Sequence, residues 1–226
     1  MMVMMIRRFS LLLLLLLPAL ALEGQKSDFG IWYDVKADHE LIKNLRIDAE
    51  ACVRTENNAS DIESWYLEPG IRYKFNKYFS GGVYYRFIEQ MEKDNRLHPR
   101  HRWFIQIKGD LPVYRFTLSA RYRIQEQFKT YIDKPEDEIP SWYNRLRLEI
   151  DYDVPSIPLR PYINTELHSQ LFASNDIMIE KMRYIGGIEY TLNKRHTFGL
   201  EYVYNTSKVS KPAYMNVISL TYSIKI

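Results

Sequence analysis

Beyond the first two dozen residues, apolar and polar positions alternate along the chain with a period of two. Over 45–54 one face is Leu45, Ile47, Ala49, Ala51 and Val53, and the other is Arg46, Asp48, Glu50, Cys52 and Arg54. The pattern returns in Phe116, Leu118, Ala120, Tyr122 and Ile124 against Thr117, Ser119, Arg121 and Arg123. It returns again in Leu146, Leu148, Ile150 and Tyr152 against Arg145, Arg147, Glu149 and Asp151. Successive side chains of a strand point to opposite sides, so each segment reads as a strand held between two unlike environments. No 3.6-residue period competes with this one past the N-terminus.

Eleven strand segments follow: 29–37, 45–54, 65–75, 79–88, 102–110, 115–125, 145–154, 161–171, 183–192, 197–205 and 216–226. Most are about ten residues long, the length a tilted strand needs to cross a bilayer and more than the usual five or six of a soluble sheet. The connections alternate. Those at 76–77, 111–113, 155–159 and 193–195 are short, and those at 91–99, 129–140, 173–179 and 206–213 are longer and polar. Short turns on one rim and long loops on the other are the habit of outer-membrane barrels. Parity then sets an expectation. A last strand running from a long loop to the C-terminus ends on the short-turn, periplasmic side, and an even count would put the N-terminus there too. Ten or twelve strands are therefore expected, with the segment around Trp32 either not a full strand or a twelfth strand overlooked.

A soluble sheet would turn its apolar face inward. Three features favour lipid outside and charge inside. The apolar face is bulky on every strand, more than a small closed barrel can hold. Aromatics gather near strand ends (Trp65, Tyr73, Phe75, Tyr78, Phe79, Trp103, Tyr114, Tyr152) in the manner of interfacial girdles. On the polar faces arginine replaces lysine, with Arg46, Arg54, Arg72, Arg86, Arg102, Arg121, Arg123, Arg145, Arg147 and Arg183 against Lys74 and Lys108. The planar guanidinium suits confined ion pairing, whereas a solvated surface has no need of it.

Residues 1–21 carry a basic pair, Arg7 and Arg8, an apolar run from Leu11 to Leu17 and an Ala19-Leu20-Ala21 triplet, which together read as a secretory signal peptide. Its removal takes two arginines and no acid from a formal net charge of +3, leaving about +1. Bulk charge thus points to no nucleic acid or other polyanion. One cysteine, Cys52, makes no internal disulfide. The remaining residues, 22–226, are enough for one domain, an all-β, antiparallel up-and-down transmembrane barrel of about ten to twelve strands with a polar lumen.

Several short motifs carry a family resemblance: Phe29-Gly30-Ile31-Trp32, the strand ending in Arg54, Gly70-Ile71-Arg72-Tyr73 and Tyr84-Tyr85-Arg86 around a short turn, Arg121-Tyr122-Arg123, Gly187-Ile188-Glu189-Tyr190 and Leu200-Glu201-Tyr202. In these the chain resembles a bacterial outer-membrane barrel family known as domain of unknown function 2490, over essentially its whole length after the leader. The resemblance implies a barrel and a Gram-negative outer-membrane location, and carries no established reaction. A looser likeness is to small monomeric porins for acidic sugars.

No catalytic set, metal site or cofactor motif is assembled by the sequence. Adjacent His168 and Ser169 face opposite sides of a strand, so the histidine is poorly placed to activate the serine of an outer-membrane hydrolase acting on lipid or envelope substrates. His98 and His101 near Arg96, Arg100 and Arg102 could meet lipopolysaccharide phosphate, and Glu136-Asp137-Glu138 reads as a solvated loop. Gly81-Gly82 and Gly186-Gly187 lie within strands, where bends or close packing are expected.

The candidate site is the lumen. Pairing strands about their turn centres places Arg86 near Arg102, Arg102 near Arg121 and Arg123, and these opposite Arg145 and Arg147. The result is an arginine wall on four strands. Glu50 and Glu68 precede it, and Glu166, Glu189 and Glu201 follow it, so closure would set acids across the lumen. The expected function is a narrow passive channel or an ion-paired plugged barrel, the alternatives being an outer-membrane enzyme acting on lipid or envelope substrates, or a structural or binding barrel. Expected partners are outer-membrane lipid and lipopolysaccharide, the barrel-assembly machinery during insertion, and a small polar or anionic solute.

Overall fold

The computed structural model describes residues 27–131, 138–172, 179–208 and 214–226, and the expected leader lies outside these. Eleven strands follow in chain order: β1 (Ser27–Ile42), β2 (Leu45–Glu56), β3 (Asp61–Lys74), β4 (Phe79–Met91), β5 (Leu97–Val113), β6 (Phe116–Lys129), β7 (Ser141–Tyr152), β8 (Leu159–Leu171), β9 (Ile179–Thr191), β10 (His196–Ser207) and β11 (Tyr214–Lys225). Each is hydrogen-bonded to the next and β1 to β11, closing the barrel.

The count of eleven corrects the expectation of ten or twelve. Every consecutive pair is antiparallel, but β1 and β11 run parallel, from Ser27↔Tyr214 to Asp38↔Lys225. The parity rule assumes an antiparallel seam. A parallel ladder also engages the backbone donors and acceptors, so an odd ring closes without leaving an edge. The Trp32 segment is a full 16-residue strand. It begins at the long-connection end, where the Asp28 carboxylate accepts the backbone N–H groups of Asn57 and Asn58, each at 2.9 Å. At the short-turn end the Ile226 N–H donates to the Asp38 carbonyl at 2.9 Å.

Strands also run longer than their apolar cores suggest, 12 to 17 residues. β5 contains both Pro99 and Pro112. Its turn to β6 falls on Tyr114-Arg115, with Tyr114 at φ 59°, not on the proline. Asn44 at φ 71° makes the matching tight turn between β1 and β2, a conformation asparagine tolerates better than most residues.

The two faces have the expected sense. Val35, Ile71, Val83, Ile105, Leu148 and Ile163 are exposed on the outside, whereas Glu68, Arg86, Arg123, Arg145, Asn164 and Glu166 are buried within. A sheet protein with its apolar face inside would show the reverse. Aromatic pairs mark both rims of the outer wall. Tyr73–Phe75 and Phe116–Tyr152 lie toward the short turns, and Trp65–Phe87 and Tyr85–Trp103 toward the other end. A groove of about 1030 Å³ in the outer wall runs past Gly109, Ala120, Thr165 and Gly186 between larger apolar residues. Most of its lining belongs to the outer face.

None of the described glycines has a positive φ, so they serve space rather than turn geometry. A Cβ on Gly187 would stand 2.7 Å from the Tyr162 ring, and one on Gly70 would stand 2.0 Å from Tyr84.

Candidate functional site: the lumen

The interior is filled unevenly. Trp32, Ile185, Val203 and Val217 form an apolar cluster against the β1–β11 seam, with Tyr162 and Met215 packed on it. Two polar cavities lie elsewhere among the described residues. One, of about 380 Å³, opens at the short-turn end beside Arg46, Arg72, Lys74 and Asp110. The other, about 320 Å³, lies deeper, among side chains from β1 to β9 and from β10 and β11.

Along β4 and β5 a two-ring aromatic layer stands between the residues of the one cavity and those of the other. Tyr84 of β4 and Phe104 of β5 are buried and stacked, ring centroids 4.9 Å apart. Tyr84 fits because its neighbours have no side chain: it lies against Gly70 on β3 and Gly82 on its own strand. Its hydroxyl donates to Asp48 at 2.9 Å, and Asp48 also accepts from Arg72 at 2.9 Å. The Arg123 guanidinium covers the other partner, 3.7 Å from the Phe104 centroid. A cation over an aromatic face in a confined site gains from the ring quadrupole.

The deep cavity is lined by ten lysines and arginines and five carboxylates, with Glu166 behind them. Glu166 is fully buried and is the hub of the basic side. It accepts from Arg121 at 2.5 Å, from Arg147 at 3.1 Å and from Arg145, faces His168 at 2.7 Å, and lies 3.7 Å from Arg183. On the opposite part of the ring Arg86 pairs with Glu68 and stacks over Tyr66, whose hydroxyl donates to Glu50. Arg54 lies over Trp32 at 4.2 Å. Arginine thus engages carboxylates edge-on and rings face-on, two modes lysine combines less well.

The predicted residues divide as follows. Arg86 stands in register with Arg102, Arg121 with Arg147, and Arg123 with Arg145. Arg102 does not neighbour Arg121 or Arg123. It pairs with Gln127, while Arg121 and Arg123 pair with Lys108 and Gln106. The difference follows from the turn, which pivots at Tyr114-Arg115 instead of Pro112 and shifts every partner by several residues. Nor do the acids form an opposed wall. Glu166 lies on β8, beside the arginines of β7, and Glu189 sits with Arg160 at 2.5 Å, away from the deep cavity. Glu50, Glu68 and Glu201 do line that cavity, and Glu201 accepts from Tyr162.

Tyr84, Phe104, Gln106, Gln125 and Gln127 are absent from the predicted set. All lie on the inward parity of their strands, but uncharged residues on a polar face gave no cue. The spaced glycines at 70 and 82 were the available signal for Tyr84.

The remaining candidates do not converge. His168 is engaged with Glu166, a bulge separates it from Ser169, and no hydrogen bond joins the two among the described residues. His98 bonds Asp94 at 2.8 Å and stacks on Tyr131. His101 faces outward among Tyr85, Phe87 and Phe128, on the side opposite Arg102. Glu136 and Asp137 lie outside the described residues.

Among solved structures the fold is similar to a NanC porin, at 16% identity and a TM-score of 0.50, covering 78% of this chain and 86% of that one. It is also similar to a bacterial polysaccharide outer membrane secretin, at 13% identity and a TM-score of 0.50, covering 81% of this chain and 63% of that one. A KdgM porin in complex with disordered oligogalacturonate aligns at 14% identity and a TM-score of 0.46, covering 79% and 91%. No curated protein matches. The first two likenesses show a porin-like barrel fold shared with outer-membrane proteins. A family described as protein of unknown function (DUF2490) matches residues 29–216, nearly all of the barrel, and the chain belongs to that family.

Proposed function

We propose that the protein is an integral outer-membrane barrel, exported by its leader, whose lumen is a narrow passive route favouring small anionic solutes. The observation that carries this reading is the excess of basic side chains around the deep cavity, ten against the five lining carboxylates and Glu166. The lumen is lined by polar and charged side chains while the outer face is apolar, and a low-dielectric wall focuses the field of the unmatched arginines onto whatever enters. Rings of fixed cationic charge select anions in pores by the same physics. The porin-like fold agrees with a channel. Narrowness comes from the Tyr84–Phe104 layer and from the modest cavity volumes, about 320 and 380 Å³, each room for a small solute with few waters.

The ion-paired plug, the competing reading, has its own support in the Glu166 cluster, which ties β6, β7, β8 and β9 together. A proteoliposome assay separates the two. Uptake of a small monocarboxylate faster than of an uncharged solute of equal size supports the channel. Liposomes as tight as protein-free ones would establish the plug.

A further inference from the structure

Most inward arginines have a carboxylate partner, and Arg54 is held over the Trp32 and Tyr66 rings. Arg86 has Glu68, and Arg121, Arg145, Arg147 and Arg183 share Glu166. Arg102 and Arg123 differ. Each donates both its Nε and Nη2 groups to a single carboxamide oxygen, Arg102 to Gln127 and Arg123 to Gln106, and neither has a carboxylate within ion-pair distance among the described residues. Both line the deep cavity, Arg123 is buried, and the charges acting on Arg102 are mostly other guanidinium groups, Arg86, Arg145 and Arg54. A carboxamide neutralises nothing, and unpaired buried charge is costly.

Among the side chains that line this cavity, Trp32 Nε1, Arg54 Nε, Arg145 Nε and Gln125 Oε1 have no hydrogen-bond partner. The Nε of Arg145 donates to nothing, and the Oε1 of Gln125 accepts from nothing; both side chains are more than nine-tenths buried and line the cavity. The first asks for an anionic oxygen and the second for a donor. Chloride could meet the first demand but not the second.

We propose that the deep chamber is a binding site for a small oxyanion that also carries a hydroxyl, either hydrogen phosphate or a hydroxycarboxylate. Arg102 and Arg123 supply the charge, Arg145 an additional donor, and Gln125 the acceptor for the ligand's hydroxyl. The volume of about 320 Å³ accommodates phosphate with water or a single sugar acid. The site rests on the lumen geometry alone, so it belongs to a closed barrel as much as to a conducting one.

Equilibrium dialysis of the full refolded barrel in detergent tests it, with phosphate, gluconate and chloride as probes at equal ionic strength. Saturable binding near one per barrel is expected for phosphate or gluconate, and the two arms tell which source of the chemistry is preferred. The Arg102→Gln/Arg123→Gln variant should lose at least tenfold in affinity. Gln125→Met, which leaves the charge unchanged, should weaken the oxyanion and not chloride. Arg46→Gln at the outer cavity should leave binding unchanged. No saturable binding to the parent would overturn the proposal, even if the double variant failed to fold. So would chloride competing on equal terms, or Gln125→Met binding like the parent.

Discussion

Glu166 on β8 reaches past β7 to meet Arg121 on β6, Nη2 to Oε2 at 2.5 Å. One carboxylate thereby holds basic groups from three neighbouring strands and from its own. Removing its charge would strand four guanidinium groups in a buried setting, where breaking a pair typically costs about 3–5 kcal/mol. Glu166→Gln should lower the denaturant midpoint of the refolded barrel by a loss of that order. Glu189→Gln, whose partner Arg160 is half-exposed, should change it by about 1 kcal/mol or less. Equal midpoints for the two variants would show that Glu166 is not a structural hub.

The slot for Tyr84 gives a sharper test of packing. Gly70→Ala should cost about 1–3 kcal/mol, the usual range for overpacking, because its Cβ would lie 2.0 Å from the Tyr84 ring. In a Tyr84→Ala background the same change should be close to neutral, so that a double-mutant cycle reports strong coupling. Additive losses in urea titrations would mean that Gly70 serves some other purpose.

Thinning the aromatic layer should widen the route between the two cavities. Tyr84→Ala together with Phe104→Ala is expected to raise single-channel conductance severalfold. Unaltered conductance would place the narrowest point elsewhere in the lumen.

Much of this architecture is legible in the sequence because a period of two is a direct consequence of strand geometry, and the inward parity of Arg86, Arg123, Arg145 and Glu166 follows from it residue by residue. What resists reading is relative height. A lateral neighbour depends on where each turn pivots, and Pro112 reads as a breaker although the chain turns two residues later at Tyr114, whose positive φ has no residue-type signal. The parallel seam between β1 and β11 is equally silent, since nothing in either strand distinguishes a parallel partner from an antiparallel one. Tyr84 and Phe104 belong to the same inward parity, yet an aromatic residue there looks like an exception to a polar face until its stacking partner and the two glycines are placed around it.

The outward face predicts the cost of misplaced charge. Leu148 is half-exposed on the apolar wall, and Leu148→Arg should cost about 2–4 kcal/mol when the barrel folds into liposomes. Thr117→Arg points inward, in register with Asp151, and should cost far less. Ser119 is a poorer control than its polarity suggests, because it is buried and donates to Asp110 at 2.6 Å. Comparable losses for Leu148→Arg and Thr117→Arg would invert the assignment of faces.

An anion-favouring lumen is tested most directly by the reversal potential of the reconstituted barrel in a planar bilayer under a tenfold potassium chloride gradient. The unmatched arginines of the deep chamber predict a reversal potential displaced toward the chloride equilibrium potential, with Arg102→Gln/Arg123→Gln moving it toward zero. A potential of the opposite sign, or a bilayer that stays silent while the barrel is folded and inserted, would contradict the account.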